Sequence, residues 1–419
     1  MINCIEAARH QSLTAEIFLT MFSSCSELQS VLLSSLLGFA VLFIIPISKA
    51  QNQPAERVII TEVDAPQSVY AADLDGDGRL DVLSASEVDD KIAWYRNQLD
   101  ESEGFSIQKI ITESAEFAQS VYAADLDGDS DYDVLRGGED GIVSWHENDG
   151  NSTFRSQKII DDEGDAESIH TDDMDNDGDQ DVLAVMGGIG EVRLYTNDGN
   201  GNFSYQKIYS GTSDRISNVS SGDLDEDSNL DIITAHFLIS WHENLGGGEF
   251  GPRQDVSTDP SATSVHAADL DDDGDKDLVA GRFDNAARDE ILWFENDGDG
   301  NFVAATVITE QVQGSAEVYS TDLDGDGDQD VVSASDGYVN PNDDKIAWYE
   351  NLGDEGFSEQ RIVDTTDVHG ATSVYSVDFQ GGRRSRYSRC FLWSGQNRWW
   401  TDYVLVVGTV RSSFWTDHT

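Results

Sequence analysis

Basic side chains are scarce in this chain. Its 419 residues carry 25 lysines and arginines against 81 aspartates and glutamates, a formal charge of −56. Nucleic-acid binding rests on Lys and Arg neutralising phosphates, so the balance argues against that partner and against docking on anionic lipid. The acid excess reads as a solubility device suited to saline surroundings, with a specific cationic partner as the alternative. Cysteine is scarce too: Cys4, Cys25 and Cys390 are the three, and none falls between 51 and 378. A disulfide framework is therefore excluded for that stretch, and bound metal is left to do the same job. No segment after residue 50 has an apolar 3.6-residue period long enough for a helix.

Long apolar runs number one, at residues 31–47, followed by Ser48-Lys49-Ala50 with small residues at the −3 and −1 positions of a cleavage site. Residues 1–50 read as a secretory leader, which places the protein outside the cell or on its surface. The leader is long and its Arg9 is outweighed by Glu6, Glu16 and Glu27, so Met21 is an alternative start. The other readings of the run are an uncleaved anchor of marginal length and a buried structural segment.

What the chain has in abundance is one nine-residue string. Asp322-Leu-Asp324-Gly-Asp326-Gly-Asp328-Gln-Asp330 sets carboxylates at alternate positions with glycines between some of them. Acids this close repel one another unless a cation sits among them. Ca²⁺ takes about six to eight oxygen ligands, and glycine permits the tight turn. The string recurs six times. Counting from its first aspartate, positions 1, 3, 5 and 9 supply the candidate ligands. These are Asp73, Asp75, Asp77 and Asp81, then Asp125, Asp127, Asp129 and Asp133, then Asp173, Asp175, Asp177 and Asp181. The later three loops give Asp223, Asp225, Asp227 and Asp231, then Asp269, Asp271, Asp273 and Asp277, then Asp322, Asp324, Asp326 and Asp330. A backbone carbonyl near position 7 completes the expected set. Six structural Ca²⁺ would offset only twelve of the 56 excess negative charges.

The loop is not an EF-hand, which needs Glu at position 12 and flanking helices; position 12 here is Ser84, Arg136, Ala184, Thr234, Ala280 or Ser333. Mg²⁺ is disfavoured because it demands a small, strict octahedron. Ser130 and Ser228 stand where glycine is usual and predict weaker binding at those loops. The competing reading is a solvated acidic turn without metal.

Successive loops start 46 to 56 residues apart, a period that signals a repeat architecture. Each unit carries four short β-rich runs, exemplified by Lys109-Ile110-Ile111, Ser120-Val121-Tyr122-Ala123-Ala124, Val331-Val332-Ser333-Ala334 and Lys345-Ile346-Ala347-Trp348-Tyr349. Most units close on Gly-x-Phe or Gly-Phe. Four strands per fifty residues predict a β-propeller blade, whereas β-helix coils are shorter and sandwich domains need about 100 residues. Seven units open with the first run, so an all-β, seven-bladed propeller is expected, with its last blade incomplete.

Several tempting side chains fall into repeated slots. His146 and His242 align with Tyr95, Tyr195, Phe294 and Tyr349, and His170 and His266 with Tyr70, Tyr122 and Tyr319, which marks them as aromatic packing. Trp94, Trp145, Trp241, Trp293 and Trp348 share one slot with Leu194, favouring packing between blades over a sugar-stacking platform.

The last stretch departs from the pattern. A seventh loop starts at Asp378 and fails at once, and residues 379–419 hold six Arg, two Asp and four of the nine Trp. Read one base later, codons permitted for Gly381 through Arg389 can spell GDGDRDILA, and those through Arg398 can spell VSSGRGKIA. This restores the metal loop, the third strand and the start of the fourth. The expected domains are thus the leader at 1–50, a propeller at 51–378 and a frameshifted tail at 379–419 that displaces the true C-terminus. Resequencing the coding DNA decides this, and an intact frame through Gly381 would sink it.

The Asp-x-Asp-x-Asp-Gly-x-x-Asp string between strands, the Trp-(Tyr/Phe/His)-x-Asn ending and the Gly-x-Phe close resemble FG-GAP/VCBS-type repeats. Such repeats build the integrin α-subunit N-terminal propeller and many secreted bacterial proteins. The resemblance covers about residues 57 to 378 and implies a Ca²⁺-bearing seven-bladed propeller. Function follows more loosely, because such propellers serve adhesion, sugar binding and as modules attached to enzymes. The expectation is a secreted or surface module for an extracellular protein or carbohydrate ligand, without catalytic residues. The alternative is the propeller of a polysaccharide-acting hydrolase or lyase, and a third reading makes it part of a larger secreted protein. An enzyme needs non-repeated groups near the central channel; His236, Arg282, Arg288 and His369 do not recur but share no motif. Length variation at Gly281–Glu290 and Asp336–Asp344 suits ligand contact as well as catalysis.

Overall fold

The computed structural model describes residues 55–63, 65–98, 104–211, 216–257, 261–283, 289–314, 316–335, 345–364, 371–377, 390–395 and 402–408. All described residues lie in the unit of residues 52–419, so the expected leader falls outside them.

Each carboxylate loop joins two antiparallel strands that continue outward into a third and fourth. In the first blade Pro66–Ala72, Asp81–Ser86, Lys91–Tyr95 and Lys109–Thr112 pair in that order. Five more four-stranded sheets repeat the arrangement, with inner strands Ala118–Ala124, Ala166–Asp172, Asn218–Gly222, Ala262–Ala268 and Ala316–Thr321. The protein is an all-β propeller. Among the described residues the one helical turn is the 3-10 turn Gly353–Glu355.

Burial falls from the middle of each blade to its edge. Every residue of Asp81–Ser86, Asp133–Gly138 and Asp181–Met186 is buried, because neighbouring blades cover both faces of these second strands. The fourth strands Lys109–Thr112 and Lys158–Asp161 begin exposed. The core is accordingly a series of layers between blades. Leu83, Ile92 and Trp94 of the first blade, for example, pack on Val121, Ala123 and Val134 of the second.

Inner strands are also stapled to one another by polar side chains. The amides of Val121, Ile169, Val219, Val265 and Val318 donate to Ser68, Ser120, Ser168, Asn218 and Ser264 of the preceding blade at 3.2–3.4 Å. In the sixth blade Glu317 takes the serine's place and accepts from Val374 at 2.5 Å. Burial pushes its carboxyl up to about 7.

Two expectations are corrected. The run Lys109-Ile110-Ile111 does not open a blade. It is the outermost strand of the preceding one, paired with Lys91–Tyr95, whose edge it covers. The expected seven blades are corrected to six. The strands left over, Ala55–Val63, Ala371–Val377, Cys390–Gly395 and Asp402–Gly408, form a sheet drawn from both ends of the chain. In sequence, the aspartate run that follows Ala371–Val377 breaks after Asp378. Of residues 379–419, the remainder lie outside the described residues.

Candidate metal centres

All six carboxylate loops are described, and all connect a first to a second strand on the same rim. They share one backbone course. Positions 4 and 6 of every loop have φ between +58° and +116°, so the chain turns twice through the left-handed region. The turn is held by its own carboxylates. Position 1 accepts the position-6 amides of Gly78, Ser130, Gly178, Ser228 and Gly274 at 2.8–3.2 Å. Position 5 accepts the amide two residues on in all six loops at 2.8–3.1 Å.

Position 9 opens the second strand and is wholly buried in each loop. One of its oxygens accepts the position-2 amide, as Asp133 does from Leu126 at 3.0 Å and Asp330 from Leu323 at 2.8 Å. Burial pushes the carboxyls of Asp81, Asp133, Asp181, Asp231 and Asp330 up to about 7 and that of Asp277 to about 6, with the other loop carboxylates adding to the rise. A positive charge placed beside such a group would favour its ionised form.

The carboxylates converge, though not all four alike. Positions 1, 3 and 9 of the first four loops place oxygens within 4.8 Å of one another, and in the fifth loop Asp269, Asp271 and Asp273 do so. Position 5 stands outside that group in the first four loops and closes its own turn. Four buried oxygens at positions 1 and 3 have no donor: Oδ1 of Asp127, Asp223, Asp225 and Asp269. An anionic oxygen shut away without a partner is costly. A hard cation that takes oxygen ligands fits these atoms.

A residue that sequence reasoning did not single out ties the loops together. The asparagine at the end of the third strand, or two residues past it, donates its backbone amide to position 9 of its own loop at 2.8 Å. In the second to sixth blades its side chain reaches back as well. Asn148, Asn197, Asn244, Asn296 and Asn351 donate to the position-2 carbonyls of Leu74, Leu126, Met174, Leu224 and Leu270 in the preceding loop, at 2.6–2.9 Å. The recurrent Trp-aromatic-x-Asn ending was the visible signal.

The other described candidates are engaged in packing or hydrogen bonding. Trp94, Trp145 and Trp241 are buried. Phe154 of the next blade meets Trp94 edge-on at 6.4 Å, and Lys109 covers its face at 4.0 Å. A Cβ at Gly201 would stand 2.6 Å from the Trp145 ring, which explains the glycine of the Gly-x-Phe close. His170 and His266 sit in an aromatic collar with Tyr122 and Tyr319, at centroid separations of 5.4 and 4.4 Å. Burial lowers both imidazoles, His266 to about 4.

His170 also bonds Ser221 at 2.9 Å, and Ser221 donates to Asp172 at 2.8 Å. The same histidine-to-serine contact recurs between His266 and Ser320 at 2.9 Å, so it belongs to the blade seam and not to a single reactive site. His236 closes its hairpin on Ser240 at 2.9 Å, and Arg282 pairs with Glu290. Arg288, His369 and Asp336–Asp344 lie outside the described residues.

A family model described as FG-GAP-like repeat matches residues 73–136, 173–234, 273–333 and 322–381. No curated protein matches the chain. Among solved structures, an Agrocybe aegerita lectin described as recognising non-reducing terminal N-acetylglucosamine is 18% identical over 73% of this chain and 81% of its own, with a TM-score of 0.52. BBS1N in complex with ARL6DN is 11% identical over 86% of this chain and 99% of its own, with a TM-score of 0.53. At these identities the likeness is one of fold.

Proposed function

Because the chain belongs to the FG-GAP-like repeat family, matched over more than half its length, we propose that it is a secreted or surface-exposed, calcium-binding β-propeller that presents a ligand-binding surface and carries out no catalysis. The observation that carries the calcium reading is the set of donor-less buried oxygens on Asp127, Asp223, Asp225 and Asp269. Asp73 to Asp81, Asp125 to Asp133, Asp173 to Asp181, Asp223 to Asp231, Asp269 to Asp277 and Asp322 to Asp330 are the candidate loops for such an ion. Calcium here would fix the shape of one rim and add stability by binding only the folded chain.

The ligand surface belongs to the opposite rim. Hairpins between second and third strands vary in length there, with the longest after Arg282 and Ser335. Connections on that rim expose Val88, Phe117, Ile189 and Phe237 at 46–61% of their surface. The ligand class is an extracellular protein or carbohydrate; a lectin and a protein-bound propeller among the similar folds make both plausible. Binding to arrays of glycans and extracellular proteins, in calcium and in chelator, tests the proposal. Calcium-dependent capture of a ligand supports it. Turnover of an arrayed polysaccharide would overturn the non-catalytic reading.

A further inference from the structure

We infer that the first carboxylate loop takes no calcium, because Arg96 and Arg79 occupy it as built-in counter-ions. This rests on the calcium reading above and divides the six loops, which the sequence pattern treats as equal.

Asp73, Asp75 and Asp81 converge as their counterparts do. What differs is that every carboxylate oxygen of this loop already has a partner. Asp73 accepts the amides of Asp77 and Gly78, at 3.0 and 2.8 Å. Asp81 accepts those of Leu74 and Asn97, at 3.1 and 2.8 Å. Asp75 accepts the Asp77 amide at 3.3 Å with one oxygen and faces the Arg96 guanidinium with the other. Asp77 accepts the Arg79 amide at 3.0 Å, the Arg79 guanidinium at 2.6 Å and the Arg96 guanidinium at 2.9 Å. The second, fourth and fifth loops instead leave buried oxygens at positions 1 and 3 without a donor.

The cause lies in one repeated slot. The residue before the recurrent asparagine is Glu147, Glu243, Glu295 or Glu350 in four blades and Thr196 in the third. In the first blade it is Arg96, whose planar guanidinium bridges positions 3 and 5. Position 7 adds Arg79, where four of the other loops have aspartate and one has asparagine. A calcium ion entering here would have to compete with three guanidinium contacts, two from Arg96 and one from Arg79, on the carboxylates at positions 3 and 5.

The test is calcium bound per full-length chain at saturation, measured by equilibrium dialysis and elemental analysis. Asp127→Asn in the second loop should lose one calcium, whereas Asp75→Asn should lose none. The double variant Arg79→Gln/Arg96→Gln should gain one. Loss of one calcium in Asp75→Asn would overturn the inference while leaving the calcium reading intact. An unchanged count in the arginine double variant would overturn the role given to the arginines. No calcium on the wild-type chain would overturn the calcium reading and this inference together.

Discussion

Ser130 and Ser228 hold backbone φ of +76° and +72°, where the four other loops have glycine at the same position. A side chain in that region costs about 1–2 kcal/mol, partly offset because serine has less unfolded-state freedom to lose than glycine. Replacing either serine by glycine should therefore stabilise the chain by about 0.5–1 kcal/mol in urea denaturation and tighten calcium at its own loop. A destabilisation would mean that the loop relaxes around serine. The aspartates, the glycines and these two exceptions were legible in the sequence, because a loop that must turn back on itself within nine residues has few solutions. Arg96 as a counter-ion was not legible. Its slot is nineteen residues from Asp77, and only the folded hairpin brings them together.

At the scale of the element, the strands were readable from short β-branched and aromatic runs punctuated by Gly, Asp and Asn. Their grouping into blades was not. A periodic string has no origin, so Lys109–Thr112 could be assigned to either neighbouring unit until its pairing with Lys91–Tyr95 was seen. The asparagine latch was hidden for a related reason, since its partner lies about one and a half repeats away, as Leu126 does from Asn197. That side chain also donates to Gln180 at 3.1 Å, so truncation leaves two carbonyls short of a donor. Asn197→Ala should cost roughly 1–3 kcal/mol in chemical denaturation and weaken calcium binding at the loops on both sides of the seam. A cost below about 0.5 kcal/mol would show that the latch does not couple the blades.

For the molecule as a whole, closure is the feature least accessible to sequence reading. Ala55–Val63 pairs with Asp402–Gly408, more than 300 residues away, and no local pattern announces that register. The six blades carry the charge imbalance into the fold. Each gathers carboxylates on one rim, and among the described residues many of the scarce cations are engaged in ion pairs, as Arg96, Arg136 and Arg193 are, or lie on the faces of Trp94, Trp145 and Trp348. A chain with formal charge −56 and carboxylate loops on every blade should therefore depend on calcium for stability more than on any single contact. The direct measurement is thermal unfolding of the purified chain in calcium and in chelator. The melting temperature should fall by about 10 °C or more in chelator and be restored by added calcium, the equivalent of several kcal/mol of binding energy. Identical melting curves would contradict it, leaving the aspartate loops as empty acidic turns.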